Sequence, residues 1–163
     1  MQKEDYKFSF EVYNSIDELS VTDAKLLLKA REVTQQAYAP YSQFYVGAIA
    51  MLTNGETVSG TNQENASFPV GLCAERALLA AAATLFPDVA IDTVAISYNN
   101  NKGESNRPIS PCGMCRQALS EFEVRVNQPI RIILGGLTGQ VYIIASASLL
   151  LPLTFTAKDL AGK

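Results

Sequence analysis

The chain has 163 residues, 48% of them hydrophobic and 18% charged, with 13 Lys and Arg against 16 Asp and Glu for a net charge of −3. That length suits one domain with a single sizeable core, and the apolar content excludes a disordered chain. The acidic balance argues against a broad phosphate-binding surface, and the longest apolar run, ALLAAAATLF, is too short to cross a bilayer.

Residues 1–19 form an extension outside a single domain of residues 20–163. It carries Tyr6, Phe8, Phe10 and Tyr13 in weak alternation, which predicts an added strand. Its opening, MQKEDYKFSFEVYNS, mixes polar, acidic and basic residues and reads as neither a secretory signal nor a transit peptide, so the expected location is cytoplasmic. Ser20, three residues before Asp23, predicts a capping box. Leu26, Ala30, Val33 and Ala37 then recur at helical spacing until Pro40 ends the helix. FYVGAIAMLTNGETVSGTNQE predicts a hairpin around Asn54-Gly55, the dipeptide that a type I′ turn prefers because both positions need positive φ. The first strand of that hairpin is apolar on both faces and belongs in the middle of a sheet. CAERALLAAAATLF predicts a buried helix closed by Pro87, IDTVAISY a buried strand and NNNKGESNRPI a polar loop. In SPCGMCRQALSEF, Ser110 suits an N-cap and Pro111 the first helical position, which puts Cys112 in the first turn. IRIILGG and QVYIIA predict two more strands, and SASLLLPLTFTAKDL short helical pieces broken by Pro152. Helices alternating with about five strands predict an α/β fold, a three-layer α/β/α sandwich.

The chain has three cysteines and no histidine. An odd count with two closely spaced is unlike a secreted disulfide framework and fits free thiols in a reducing compartment. Cys112 and Cys115 share a helix face at i, i+3, near the positive helix end that favours thiolates. Cys73 begins the other candidate helix. If the two helix starts converge, three thiolates face one zinc ion, and without histidine the fourth position is left to water or a carboxylate. Glu75, two residues beyond Cys73, is placed to take a proton from a zinc-activated water and return it to a leaving group. Three thiolates leave the site at −1, a charge that an Arg76 guanidinium bonded to sulfur would offset.

Plainer readings exist for each part. A C-x-x-C at a helix start suits a redox pair, but leaves Cys73 and Glu75 unexplained. A structural zinc needs a fourth protein ligand. Glu75 alone reads as a solvated helix residue and Arg76 as a surface charge. Taken together, C-x-E-R with P-C-x-x-C downstream favours an open, catalytic zinc.

CAER at 73–76 and PCGMC at 111–115 match the signature of zinc nucleobase deaminases in its all-cysteine form. With APYSQFYVGAIA, GTNQENASF, SPCGMCRQAL and LLPLTF, the chain resembles the small homotetrameric cytidine deaminases over roughly residues 22 to 156. The resemblance implies a mixed sheet, one zinc per chain held by Cys73, Cys112 and Cys115, and a homotetramer in pyrimidine salvage. The substrate would be a small nucleoside, with no nucleic acid or membrane partner. Zinc-bound hydroxide would add to C4 of cytidine or 2′-deoxycytidine, with Glu75 shuttling protons, to give uridine or 2′-deoxyuridine and ammonia. Phe44 would pack against the pyrimidine, Asn62 and Glu64 would bond the ribose 3′-hydroxyl, and the Ala74 N–H would meet the base carbonyl. Arg76 would bond a zinc-bound sulfur, and Phe155 would reach a neighbouring subunit's site.

Outside the motif, Phe44 and Phe155 read as core aromatics and NQEN as a polar strand end. The extension, the long NNNKGESNRPI loop and Gln63, where the family often has an apolar residue, depart from the pattern. Deamination of a modified cytosine nucleoside such as blasticidin S is the first alternative. A polynucleotide deaminase and a non-enzymatic zinc-stabilised interaction domain follow.

Overall fold

The computed structural model describes residues 1–161. Its strands are β1 (Glu11–Tyr13), β2 (Phe44–Leu52), β3 (Thr57–Thr61), β4 (Ile91–Asn100), β5 (Arg131–Gly135) and β6 (Val141–Ile144). They form one sheet in the order β1-β6-β5-β4-β2-β3. β4 and β5 run parallel, and every other neighbouring pair is antiparallel. The helices are α1 (Val21–Val33), α2 (Ala74–Leu85), α3 (Gly113–Val126) and the short α4 (Ala157–Leu160).

Side chains alternate across a strand, and here the two sets build two cores. Ile49, Ala95, Ile133 and Val141 pack with Leu26, Leu27, Ala30 and Val33 of α1. Ala48, Ala50, Val94, Ile96, Ile132 and Leu134 pack with Leu78 and Ala82 of α2 and Leu119 and Phe122 of α3. The sandwich has three layers, as expected, with six strands rather than about five. The sixth comes from the extension: Glu11, Val12 and Tyr13 pair with Ile143, Tyr142 and Val141, and the Phe10 ring lies 4.9 Å from that of Tyr142. β2 is interior, which explains why both its faces are apolar.

Four local expectations need correction. The Ser20 hydroxyl does accept from the Asp23 N–H at 3.1 Å, but the Asp23 carboxylate does not close the box. It takes two bonds, 2.6 and 2.9 Å, from the Arg131 guanidinium, a charge-assisted pair stronger than one backbone N–H. α1 ends at Val33 and a 3-10 turn Thr34–Gln36 follows, so Ala37 lies past the helix, while Leu27 is fully buried. In the hairpin only Gly55 has positive φ. The Gly55 N–H donates to the Leu52 carbonyl and the Leu52 N–H to the Glu56 carbonyl, each at 2.9 Å, which is the three-residue loop ending in a left-handed glycine rather than the two-residue type I′ turn. Finally, α3 begins at Gly113, so its N-cap is Cys112 and not Ser110.

Two glycines set how closely the helices approach the sheet. A Cβ on Gly47 would overlap the Ala30 carbonyl of α1. One on Gly60 would overlap the Ala74 carbonyl and stand 2.8 Å from Leu78 Cα in the first turns of α2. Among the described residues, no helix is long and apolar enough to cross a membrane.

Candidate metal centre and its cavity

Cys73 caps α2 and Cys112 caps α3, both in extended conformation and neither with a side-chain capping bond. A serine or aspartate there would turn its oxygen back onto the helix N–H groups. The cysteines instead leave their sulfurs free to face each other, because α2 and α3 touch on the same side of the sheet. Cys73 Sγ lies 3.9 Å from Cys112 Sγ, and Cys112 Sγ lies 3.5 Å from Cys115 Sγ. All three sulfurs fall within 4.8 Å of one another. Cys115 is buried, Cys73 half-buried and Cys112 exposed.

This cluster cannot carry three negative charges unaided. The neighbouring thiols, Cys115 foremost, hold the Cys73 pKa down to about 6. The nearby Cys73 sulfur, with burial, pushes Cys115 well above the usual thiol range. Three thiolates within 4.8 Å of one another repel, so full ionisation calls for a cation. A divalent ion would let all three ionise. Three soft sulfur donors, with no fourth His, Cys, Asp or Glu grouped with them among the described residues, fit zinc with an open position.

Glu75 lies in the first turn of α2 and is only 5% exposed. Burial raises its pKa, with its own backbone N–H and the Cys115 thiol pulling weakly the other way. It is not one of the three clustered ligands. Arg76 is half-buried. Among the described residues it bonds no sulfur, contrary to expectation, and acts on Cys73 as a charge through space.

Beside Cys73 opens a cavity of about 560 Å³, lined by Tyr41, Asn62, Glu64, Phe68, Leu72 and Met114 among others. The Asn62 amide is held at both ends by β2, accepting from the Val46 N–H at 2.7 Å and donating to the Phe44 carbonyl at 2.8 Å. Glu64 Oε2 accepts from the N–H groups of Tyr41 and Ser42 at 2.9 and 3.2 Å. Partial burial works against its charge, but bonds from Ser42 and from the Tyr41 backbone hold its carboxyl below the usual range. The 62–64 segment is itself laced to both sides, Tyr38 N–H to the Asn62 carbonyl and Gln63 to Leu72 in both directions. Gln63, exposed and also lining the cavity, donates its amide to the Thr61 hydroxyl at 2.9 Å, so its polar character costs the interior nothing.

The remaining sequence candidates are not on the cavity wall. Phe44 stacks on Tyr98 with ring centres 4.9 Å apart. Ala74 is fully buried at the start of α2, where its N–H has no intrahelical acceptor. Phe155 is 57% exposed, its carbonyl bonded by Gln117. Two residues that sequence reasoning passed over stand at the cavity mouth. Tyr41 and Phe68 meet edge to face at 5.8 Å, both exposed. Both lie inside quoted blocks, APYSQF and NASF, and aromatics so near polar turn residues were the available signal.

The chain matches the family model of the cytidine and deoxycytidylate deaminase zinc-binding region over residues 20–128. It is 37% identical over 139 residues to the cytidine deaminase of Halalkalibacterium halodurans, covering 85% of this chain and 98% of that one. With the Mycoplasma pneumoniae cytidine deaminase it shares 45% identity over 100 residues, 61% of this chain and 71% of the other. The crystal structure of the Burkholderia pseudomallei cytidine deaminase superposes with a TM-score of 0.70 at 32% identity, covering 84% of this chain and all of that one.

Proposed function

The chain belongs to the family with the cytidine and deoxycytidylate deaminase zinc-binding region, and on that premise we propose that it hydrolyses cytidine and 2′-deoxycytidine to uridine and 2′-deoxyuridine with release of ammonia. The observation that carries this is the open three-sulfur cluster, beside a cavity of about 560 Å³ and with a buried carboxylate two residues from Cys73.

Cys73, Cys112 and Cys115 would hold zinc, which would supply the Lewis acidity that makes water nucleophilic at neutral pH. Glu75 moves the protons. Burial lifts its proton affinity above that of an ordinary carboxylate, which suits a group that takes a proton from the attacking water, passes it to ring N3 and then serves the departing amine. Arg76 offsets the negative charge of the sulfurs.

Glu64 and Asn62 bind the 3′-hydroxyl. Glu64 keeps Oε1 free while Oε2 is held by two backbone N–H groups, and Asn62 keeps one amide hydrogen beyond its bond to Phe44. A site so equipped rejects a base without its sugar, because its polar groups would be left unpaired. The Ala74 N–H serves the base carbonyl, and Phe44, which rests against Tyr98 off the cavity wall, turns toward the pyrimidine when the nucleoside is bound. Phe155, exposed on its own chain, completes a neighbour's site in a homotetramer. The acidic net charge and the sugar-binding pair favour a free nucleoside over a polynucleotide strand. Pyrimidine salvage in the cytoplasm is the setting that suits these properties.

The test is the loss of cytidine absorbance with zinc-loaded protein, with uridine identified by chromatography. Conversion that Glu75→Gln abolishes supports the reading. A chain that binds one zinc and leaves cytidine and 2′-deoxycytidine untouched would sink it in favour of a modified nucleoside.

A further inference from the structure

Arg116 is an anomaly for a surface charge. It occupies the fourth position of α3, near the positive end of the helix, where the macrodipole disfavours a cation. Its side chain is half-buried and doubly bonded. Nε donates to the Pro111 carbonyl at 2.8 Å, and Nη1 donates to the Leu150 carbonyl at 3.0 Å. Its backbone N–H donates to the Cys112 carbonyl at 3.0 Å. One residue therefore grips the peptide groups on both sides of Cys112. That cysteine bears the exposed sulfur of the cluster and has no side-chain capping bond to hold it.

The far end of the grip is the 3-10 turn Ala147–Leu150, which is anchored independently. Glu123 lies seven residues beyond Arg116, two turns along the same helix face. Its Oε1 accepts from the N–H groups of Ile130 and Ala147 and from the Ser146 hydroxyl at 2.7 to 2.8 Å, and its Oε2 accepts from the Ser148 N–H at 3.0 Å. A carboxylate holds the N–H end of the turn and a guanidinium its carbonyl end, each matching the backbone dipole it faces. On the other side, the Tyr6 hydroxyl of the extension donates to the Leu149 carbonyl at 3.0 Å. The turn is a fixed post against which Arg116 can brace the cysteine.

We infer that Arg116 is a positioning residue for the metal: it clamps the Cys112 backbone against the turn Ala147–Leu150, holding the Cys112 sulfur in ligating position before any ion arrives. This rests on the three sulfurs being a zinc site and adds how that site is kept assembled. Arg76 acts near the sulfurs as a charge, whereas Arg116 acts through peptide groups.

The experiment measures zinc transfer from the full-length, zinc-loaded protein to a chromogenic chelator, the absorption spectrum after cobalt(II) replacement, and the melting of the metal-free protein. Arg116→Gln should release zinc about tenfold faster or more, in line with the loss of an outer-sphere partner, with altered cobalt bands and an unchanged KM. Arg116→Lys, able to reach one carbonyl at a time, should release zinc at an intermediate rate, and it carries the same test if the glutamine variant fails to fold. Glu123→Gln removes the other half of the clasp without touching Cys112, so it should lower the melting temperature yet release zinc near the wild-type rate. Wild-type release and an unchanged cobalt spectrum in the Arg116 variants would overturn the inference. So would equal acceleration by Glu123→Gln, which would mark a general loosening of the turn. A wild-type chain that binds no metal would overturn the zinc reading itself, and this inference with it.

Discussion

Cys73 and Cys112 are separated by 39 positions in the chain, yet their sulfurs lie 3.9 Å apart, because each is the last extended residue before a helix and the two helix starts converge. Neither residue belongs to the two apolar cores. Cys112→Ala should therefore leave the fold intact while zinc content falls well below one per chain, read by elemental analysis beside far-ultraviolet circular dichroism. Chelation of the wild-type protein should lower its melting temperature without unfolding it. Metal binding at a hundredfold excess over Kd adds about 2.7 kcal/mol of stability to a chain that already folds, so an unfolded apoprotein would contradict this picture.

Glu75→Gln is the sharper test of chemistry. The amide is nearly the same size and removes a carboxylate whose charge burial disfavours, so stability should hold or rise slightly. Turnover should fall by about 10²- to 10⁴-fold or more, with zinc content unchanged and KM shifted little. A variant that loses zinc along with activity would assign Glu75 to the ligand set instead.

How much of this could be read from the residues depended on the range of the forces involved. The strands and the helices α1, α2 and α3 follow from local periodicity, and the cysteine and glutamate spacing is itself the chemistry. Ser110 and Pro111 fit a helix start by propensity, but α3 begins two residues later, and the Pro111 carbonyl accepts from the Arg116 side chain five residues on. The capping box failed because the competitor for Asp23 is Arg131, 108 positions away. Phe44 lies in the expected block, but its ring contact is with Tyr98, on a strand that comes later in the chain.

The Asp23–Arg131 pair gives a pH signature. The Arg131 guanidinium holds the Asp23 carboxyl below its usual range, against partial burial. A depressed carboxyl contributes stability that is present above its unfolded pKa, near 3.9, and is lost as pH falls through the lower folded value. In urea denaturation of metal-free protein, Asp23→Asn should cost about 1 kcal/mol at pH 7, since solvent at Arg131 weakens the pair. That difference should shrink toward zero near pH ~2. A penalty that stayed constant across this range would show that the pair contributes through packing rather than charge.

Removing the extension tests how far the fold depends on it. β1 covers the edge of β6 with three residue pairs, and Phe10 adds one aromatic contact with Tyr142, a contact worth about 0.5 to 1.5 kcal/mol. Deleting residues 1–13 should leave a folded chain that still binds one zinc. It would also uncover the β6 edge, and a bare edge is a template for further pairing. Sedimentation velocity at rising concentration should then show association beyond the wild-type assembly. Indistinguishable profiles would mean that β6 is guarded by something other than β1.

Gly60 is where the fold and the metal site are most tightly joined. It lies in β3 opposite Ala48, and α2 rests directly on it, with the Ala74 carbonyl and the Leu78 backbone occupying the space a Cβ would need. The obstructing atoms are backbone, so no rotamer change can yield; the start of α2 must lift. Gly60→Ala should therefore cost about 1 to 3 kcal/mol, the usual penalty for overpacking. It should also displace Cys73, which immediately precedes the shifted turn, and so weaken zinc retention more than its stability loss alone accounts for. Gly47→Ala provides the comparison. It forces the same kind of clash with α1 on the opposite face, against the Ala30 carbonyl and Val33, where no cysteine follows. If the two variants lost equal stability and equal zinc, the close contact at Gly60 would serve only packing. If Gly60→Ala alone lost the metal, the seat of α2 on β3 is what sets the position of the first sulfur.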